Sequence, residues 1–208
     1  MIRLIQTEAD LAEGAAHLAR ICPVWAKALP LIDPLPLRRR EAGFAAMADA
    51  IIGQQISVAA AASIRARLEA AGLFSEAAIR AATPDDLRAA GLSRPKARYL
   101  AAIAEAGLDW DGLAALPDDE AIARLTALPG VGVWTAEIYL KFALGRADVF
   151  ASGDLALQEG ARLLYALPER PGPAALRVLA EPWRPWRAVA ARGLWAYYRL
   201  AKGREGVT

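Results

Sequence analysis

The sequence predicts an all-α protein, and three observations carry that prediction. Apolar residues recur at helical spacing, capping residues stand where those runs begin, and no stretch sustains the apolar/polar alternation of a half-buried strand. Alanine fills about a quarter of the 208 positions, which favours helix but leaves the assignment to periodicity and caps. At 56% hydrophobic and 23% charged residues, the chain is apolar enough to bury a core, as one domain or as two small lobes sharing a cleft.

Thr7 followed by Asp10 starts a helix over Glu8–Ile21, in which Leu11, Ala15, Leu18 and Ile21 recur until Pro23 stops the run. Leu29–Leu37, with Pro30, Pro34 and Pro36, reads as an extended connector. It leads to Arg38-Arg39-Arg40, which reads as a solvated helix entry, with a phosphate contact as the other reading. Phe44, Met47, Ala48 and Ile51 line the next helical face up to Gly53. Gln54-Gln55-Ile56 then forms a junction, and Ser57 caps a helix to about Ala71, with Gly72 beyond it. Thr83-Pro84-Asp85-Asp86 sets a cap, a first-position proline and first-turn acids, and Gly91 closes that helix. Ser93 caps a helix through Ala106 and Asp118 one through Thr126, for about ten helices in all.

Composition excludes several chemistries. A single cysteine, Cys22, forms no internal disulfide and no iron–sulfur cluster, and Cys22 with His17 leaves a zinc site short of ligands. Both read as structural residues of the first helix. A net charge of +2 at a pI of about 8.8 means that polyanions would be met by local patches and backbone amides, not by a whole-molecule field. No stretch approaches the roughly 20 apolar residues of a membrane span, and Arg3, Glu8 and Asp10 interrupt any signal-peptide core. A soluble cytoplasmic protein is expected.

Between two predicted helices lies Leu128-Pro129-Gly130-Val131-Gly132-Val133-Trp134, with glycines two apart where the chain must turn and expose its amides. Read as a helix-hairpin-helix, it lets phosphate approach the backbone at Gly130 and Gly132, while Val133 and Thr135 open a helix whose N–H groups lack partners. The alternative is an ordinary Gly-Pro connection. Further on, Asp154 follows Ser152-Gly153 where a loop enters a helix, the position of an N-cap.

From the hairpin onward the chain resembles the helix-hairpin-helix (HhH-GPD) DNA glycosylases. The resemblance rests on the run from Leu125 to Glu137, on Asp148-Val149-Phe150-Ala151-Ser152-Gly153-Asp154, on Trp183 to Trp195, and on Ile52-Gly53-Gln54-Gln55-Ile56-Ser57 upstream. The C-terminal run and the glutamine loop are similar to the DNA-3-methyladenine glycosylase II branch. That resemblance implies a two-lobed helical bundle with a cleft between lobes, lobe A being about residues 1–40 with 145–208 and lobe B about 41–144. It implies a monofunctional enzyme of base excision repair that hydrolyses the N-glycosidic bond of flipped alkylated purines, chiefly 3-methyladenine, with 7-methylguanine beside it.

By the same resemblance, Asp154 matches the catalytic aspartate, and Gln55 matches the wedge pushed into the gap left by the flipped nucleotide. Trp134 stands where strand-nicking relatives place a Schiff-base lysine, so no lyase activity is implied, and Lys141 lies about two turns further on. Trp134 and Trp195 are candidate walls of the base pocket, since electron-rich rings attract a cationic purine. Trp25, Trp110, Trp183 and Trp186 are expected in the core. Where relatives often carry a tyrosine four residues after the hairpin tryptophan, this chain has Ile138, with Tyr139 next to it. The carbonyls of Thr126, Leu128 and Val131 would hold a structural monovalent cation, and no cofactor is required. Gln54-Gln55 could instead satisfy backbone groups at the helix junction. The cations of Ser93-Arg94-Pro95-Lys96-Ala97-Arg98 touch phosphate or form a solvated face. The expected partner is double-stranded DNA with alkylated bases, bound by a monomer. Two other readings remain: a glycosylase for a neutral lesion, hypoxanthine or uracil, and a non-catalytic DNA-structure-binding module.

Overall fold

The computed structural model describes residues 2–203. Thirteen α-helices run through them: α1 (Glu8–Ile21), α2 (Pro23–Ile32), α3 (Phe44–Ile52), α4 (Val58–Ala70), α5 (Glu76–Ala81), α6 (Pro84–Ala89) and α7 (Arg94–Glu105) come first. There follow α8 (Trp110–Ala115), α9 (Asp118–Thr126), α10 (Val133–Phe142), α11 (Leu155–Leu164), α12 (Pro173–Ala180) and α13 (Arg187–Lys202), with a 3₁₀ turn at Glu181–Trp183. Among the described residues no strand forms, as the all-α prediction requires. The described residues fall into two compact units, 2–39 with 145–203, and Arg40–Leu144.

In the first unit α13 is the central element, with Ala188, Val189, Ala190, Ala191, Gly193, Leu194 and Ala196 buried along it. Small side chains let its neighbours close in, and at three crossings even a methyl group would be too much. A Cβ on Gly14 of α1 would stand 2.6 Å from Val189 and 2.8 Å from Trp186, and one on Gly193 would stand 2.6 Å from the Trp25 ring. On α11, a Cβ on Gly160 would stand 2.6 Å from the main-chain oxygen of Leu194. Trp25, Trp183 and Trp186 are buried, as expected, and Trp183 packs edge-on against both Trp25 and Phe150. The extended start of the chain joins this unit through Ile5 N–H donating to Gly145 O at 2.6 Å and Ala147 N–H donating to Arg3 O at 3.1 Å.

Several local readings hold and several need correction. Thr7 and Asp10 form a reciprocal capping box at α1, as do Thr83 and Asp86 at α6, and Ser57 caps α4 through the Ala60 N–H. The expected connector from Leu29 is instead the end of α2. Pro23 sits at the first helical position, where its missing N–H costs nothing, and Pro30 is carried inside the last turn. Burial of Trp25, Ala28, Leu29 and Ile32 outweighs the roughly 3 kcal/mol that an internal proline costs, since each large buried apolar side chain is worth about 1.5–3 kcal/mol. Asp118 is the first helical residue of α9 and Pro117 its cap, while Ser93 makes no side-chain cap bond. The short α5, α8 and α12 span too few turns to show a period, which explains the count of about ten.

The basic triplet also differs from its reading. Arg38 has φ +49°, and the segment runs extended to Gly43 rather than entering a helix at once. Arg192 of α13 lies buried behind it, donating to Ala188 O at 2.9 Å and Leu37 O at 3.2 Å. Burial, with Arg38 and Arg39 close by, pushes its guanidinium down to about 10.

The contact under Gly160 is to backbone, which cannot rotate away. Gly160→Ala is therefore expected to lower the stability of the chain by about 1–3 kcal/mol. A shift in the thermal melting temperature checks this, and an unchanged melt would show that α11 and α13 have slack.

Candidate nucleic-acid interface and active site

In the second unit the hairpin is built by two tight turns at the end of α9. Leu128 N–H donates to Leu125 O at 3.1 Å and Val131 N–H to Leu128 O at 3.2 Å. The two glycines then do different work. Gly130 has φ +80° and lies flat against the Tyr99 ring, where any Cβ would collide, so the fold itself demands glycine there. Gly132 has an ordinary φ of −86°, yet an added Cβ would meet nothing within 4 Å. Its lack of a side chain leaves open space over the backbone.

Gly132 is also the cap of α10, and as a glycine it makes no side-chain cap bond to the first turn of that helix. Val133 and Trp134, the first two helical residues, are 54% and 39% exposed. The positive end of the helix dipole and an open approach over Gly132 together suit an anion. The buried Thr135 hydroxyl accepts from the Gln54 side chain at 3.1 Å.

Of the glutamine pair, Gln54 takes the junction role. Gln54 Nε2 donates to Gly130 O at 3.0 Å and to Thr135 Oγ1, so it satisfies groups at the junction. Gln55 is exposed and held at φ +58° in the turn between α3 and α4. Lys96, read as a phosphate contact or a solvated cation, does neither: Nζ donates to Ile52 O and Gln54 O, both at 2.6 Å, and closes the C-terminal end of α3. Arg94 and Arg98 on the same helix are exposed. Sequence reasoning offered the junction role of Gln54 as one of two readings but missed the grip of Lys96, for which the only signal was a cation opening a helix.

In the first unit Asp154 caps α11. Its Oδ1 accepts from Ala156 N–H at 2.8 Å and Leu157 N–H at 3.1 Å, and the Trp195 indole N–H reaches the same oxygen at 3.4 Å. Cap and candidate catalyst therefore coincide in one carboxylate, whose orientation three donors fix. Two of the sequence-predicted site residues, Asp154 and Trp195, are thus brought into contact. Below them Asp148 forms ion pairs with Arg184 at 2.7 Å and Arg187 at 2.8 Å, which tie the loop before Asp154 to the start of α13.

Trp134 stands in the second unit, its exposed ring followed one turn later on α10 by half-buried Ile138. Tyr139 faces inward, accepts from the Gly43 N–H at 2.9 Å, and burial pushes its phenol up to about 12. Lys141 is fully buried in the last turn of α10. Trp110 is half-buried, donating to Glu76 at 3.1 Å and packing on Phe44 and Tyr139. His17 bonds Arg184 O at 3.1 Å and Cys22 lies 3.6 Å from the Tyr165 hydroxyl, in keeping with structural roles.

The family model of HhH-GPD superfamily base excision DNA repair proteins matches residues 48–185. DNA-3-methyladenine glycosylase 1 of Schizosaccharomyces pombe is 30% identical over 204 residues, covering 92% of this chain and 90% of that protein. DNA-3-methyladenine glycosylase 2 of Escherichia coli is 33% identical over 165 residues, and the match spans 54% of that longer enzyme. Among solved structures, the S. pombe 3-methyladenine DNA glycosylase in complex with abasic DNA superposes with a TM-score of 0.79 at 30% identity, covering 91% of this chain and 97% of that one.

The two glycines give opposite expectations. Gly132→Ala should fold and melt like the parent but bind duplex DNA about tenfold more weakly, with a shallower salt dependence. Gly130→Ala should lose stability first, by about 1–3 kcal/mol, because it combines backbone strain with the Tyr99 collision. Melting curves beside salt-titrated DNA binding separate the two, and unchanged binding by Gly132→Ala would remove the phosphate cradle.

Proposed function

Because this chain belongs to the HhH-GPD superfamily of base excision DNA repair proteins, we propose that it is a monofunctional glycosylase acting on alkylated purines in duplex DNA, chiefly 3-methyladenine and also 7-methylguanine. The observation that carries this reading is the Asp154 carboxylate, oriented at the head of α11 by two backbone amides and the Trp195 indole.

The chemistry follows from that placement. An alkylated purine bears a positive charge, so as the bond from C1′ to nitrogen breaks, the base takes the electron pair and leaves neutral. Positive charge then grows on the deoxyribose, and the Asp154 carboxylate stabilises it electrostatically. Water adds to C1′ and gives up a proton, leaving an abasic site. A cationic base is already a good leaving group, and little acid catalysis is needed. Trp134, where a nucleophilic lysine would be required for strand nicking, cannot form a Schiff base, and Lys141 is sealed in the core of its helix. An electron-rich indole attracts a cationic purine, and the half-buried Trp195 lies against Asp154.

Binding is assigned to groups that ignore sequence. The first-turn amides of α10, at Val133 and Thr135, with the backbone at Gly130 and Gly132, hold a phosphate, and Gln55 enters the gap left by the extruded nucleotide. A monovalent cation fits the hairpin by donor chemistry: Thr126 ends α9, where carbonyls lack onward helical partners, and with Leu128 and Val131 it offers neutral oxygens suited to a hard ion. Such an ion supplies positive charge beside the phosphate and no redox chemistry. No described helix is long and apolar enough to cross a membrane, and an intracellular, DNA-associated monomer is the setting this activity needs.

Asp154→Asn is the direct test, since asparagine caps a helix as well as aspartate does. On methylated duplex DNA under single-turnover conditions the wild type should release 3-methyladenine, with strand breaks only after alkali. The variant should release at least about 100-fold less while holding an abasic-site analogue with similar affinity. Release of hypoxanthine or uracil in preference to methylated bases would overturn the substrate assignment. Equal release by the variant would overturn the role of Asp154.

A further inference from the structure

We propose that Gln54 is a positioning residue that couples phosphate capture at the hairpin to the placement of Gln55 in the duplex. The proposal rests on the roles given above to the hairpin and to Gln55. Its basis is the way one residue joins the two. The half-buried Gln54 side chain has two amide hydrogens, and its Nε2 makes two hydrogen bonds, to Gly130 O at 3.0 Å and Thr135 Oγ1 at 3.1 Å. Gly130 belongs to the hairpin turn, and Thr135 to the first turn of α10. The main-chain oxygen of the same Gln54 is gripped by Lys96 Nζ, which also holds Ile52 O.

The next residue, Gln55, is exposed and held at φ +58°, a left-handed conformation that a side-chain-bearing residue keeps only when its surroundings impose it. The surroundings here are the Gln54 side chain on one side and the Lys96 ammonium on the other. A phosphate bound at α10 therefore bears on the two residues to which Gln54 is bonded, and a single peptide link carries that restraint to Gln55. Gln54 itself points into the hairpin and is not the wedge.

Hydrogen–deuterium exchange with undamaged duplex DNA tests the coupling without relying on base release. In the wild type, DNA should slow exchange both in residues 128–135 and in residues 53–57. Gln54→Glu keeps the shape but turns the donor into an acceptor, and Lys96→Met removes the grip from outside the hairpin. Both variants should keep hairpin protection while protection of residues 53–57 falls roughly tenfold, the worth of a hydrogen bond or two, and Lys96→Arg should restore it. Equal protection of both segments in the two variants would overturn the coupling. So would loss of protection in both, since Gln54 would then only brace the hairpin. Failure of the wild type to release alkylated purines would overturn the catalytic reading and leave the exchange outcome to judge the coupling.

Discussion

The approach of α11 to α13 at Gly160 is the constraint from which the candidate active site follows. The Leu194 main-chain oxygen occupies the space that a Gly160 side chain would fill, and Trp195 is the next residue along α13. Asp154 lies less than two turns before Gly160, at the head of α11. With the helices held this close, the indole N–H of Trp195 reaches the Asp154 carboxylate at 3.4 Å. The same requirement for close approach explains why α13 is lined with alanine, and why Gly14 and Gly193 sit opposite tryptophans. A composition that looks like simple helix propensity is, along this helix, a packing requirement.

The second unit solves a different problem, that of exposing backbone without losing its shape. Bare amides attract phosphate only if the turn presenting them is rigid, and glycine alone makes it floppy. Rigidity comes chiefly from the Tyr99 ring beneath Gly130, while the Gln54 amide on Gly130 O and Thr135 links the turn to the α3–α4 junction, where Lys96 holds the Gln54 carbonyl. Gly132, which none of them crowds, is left for the ligand. The hairpin is thus preorganised by side chains distant in sequence, which reduces the ordering cost of capturing a phosphate.

What the sequence made legible divides along the same line. Helices whose start carries its own cap, α1 through Thr7 and Asp10, α4 through Ser57, and α6 through Thr83 and Asp86, could be read because the signal lies within four residues. Asp154 could be read as a cap for the same reason. Its bond to Trp195, the grip of Lys96 and the clamp of Gln54 join residues 41, 42 and 76 or more positions apart, and no local pattern encodes them. Prolines misled where tertiary burial overrode their local cost, as at Pro30. The basic triplet misled because its surroundings are set by residues distant in sequence, with Arg192 donating to Leu37 O just before it and the Arg40 N–H donating to Phe142 O.

Charge bookkeeping completes the argument about how a nearly neutral chain meets a polyanion. Many of its cations are committed to the ends of helices: Arg67 donates to Ala90 O at the end of α6, Arg80 to Ala104 O in the last turn of α7, and Lys96 to Ile52 O at the end of α3. There they satisfy carbonyls that a helix leaves unbonded and offset the negative end of its dipole. Others are neutralised by acids, as Arg187 is by Asp148 and Glu181. Cations held inside the fold in this way leave exposed ones such as Arg94 and Arg98, and the positive end of the α10 dipole, to face an anion. A phosphate contact fixes the register of the backbone and says nothing of sequence, so with Asp154 as the proposed catalyst discrimination falls to the base and its sugar, where alkylation has already weakened the bond.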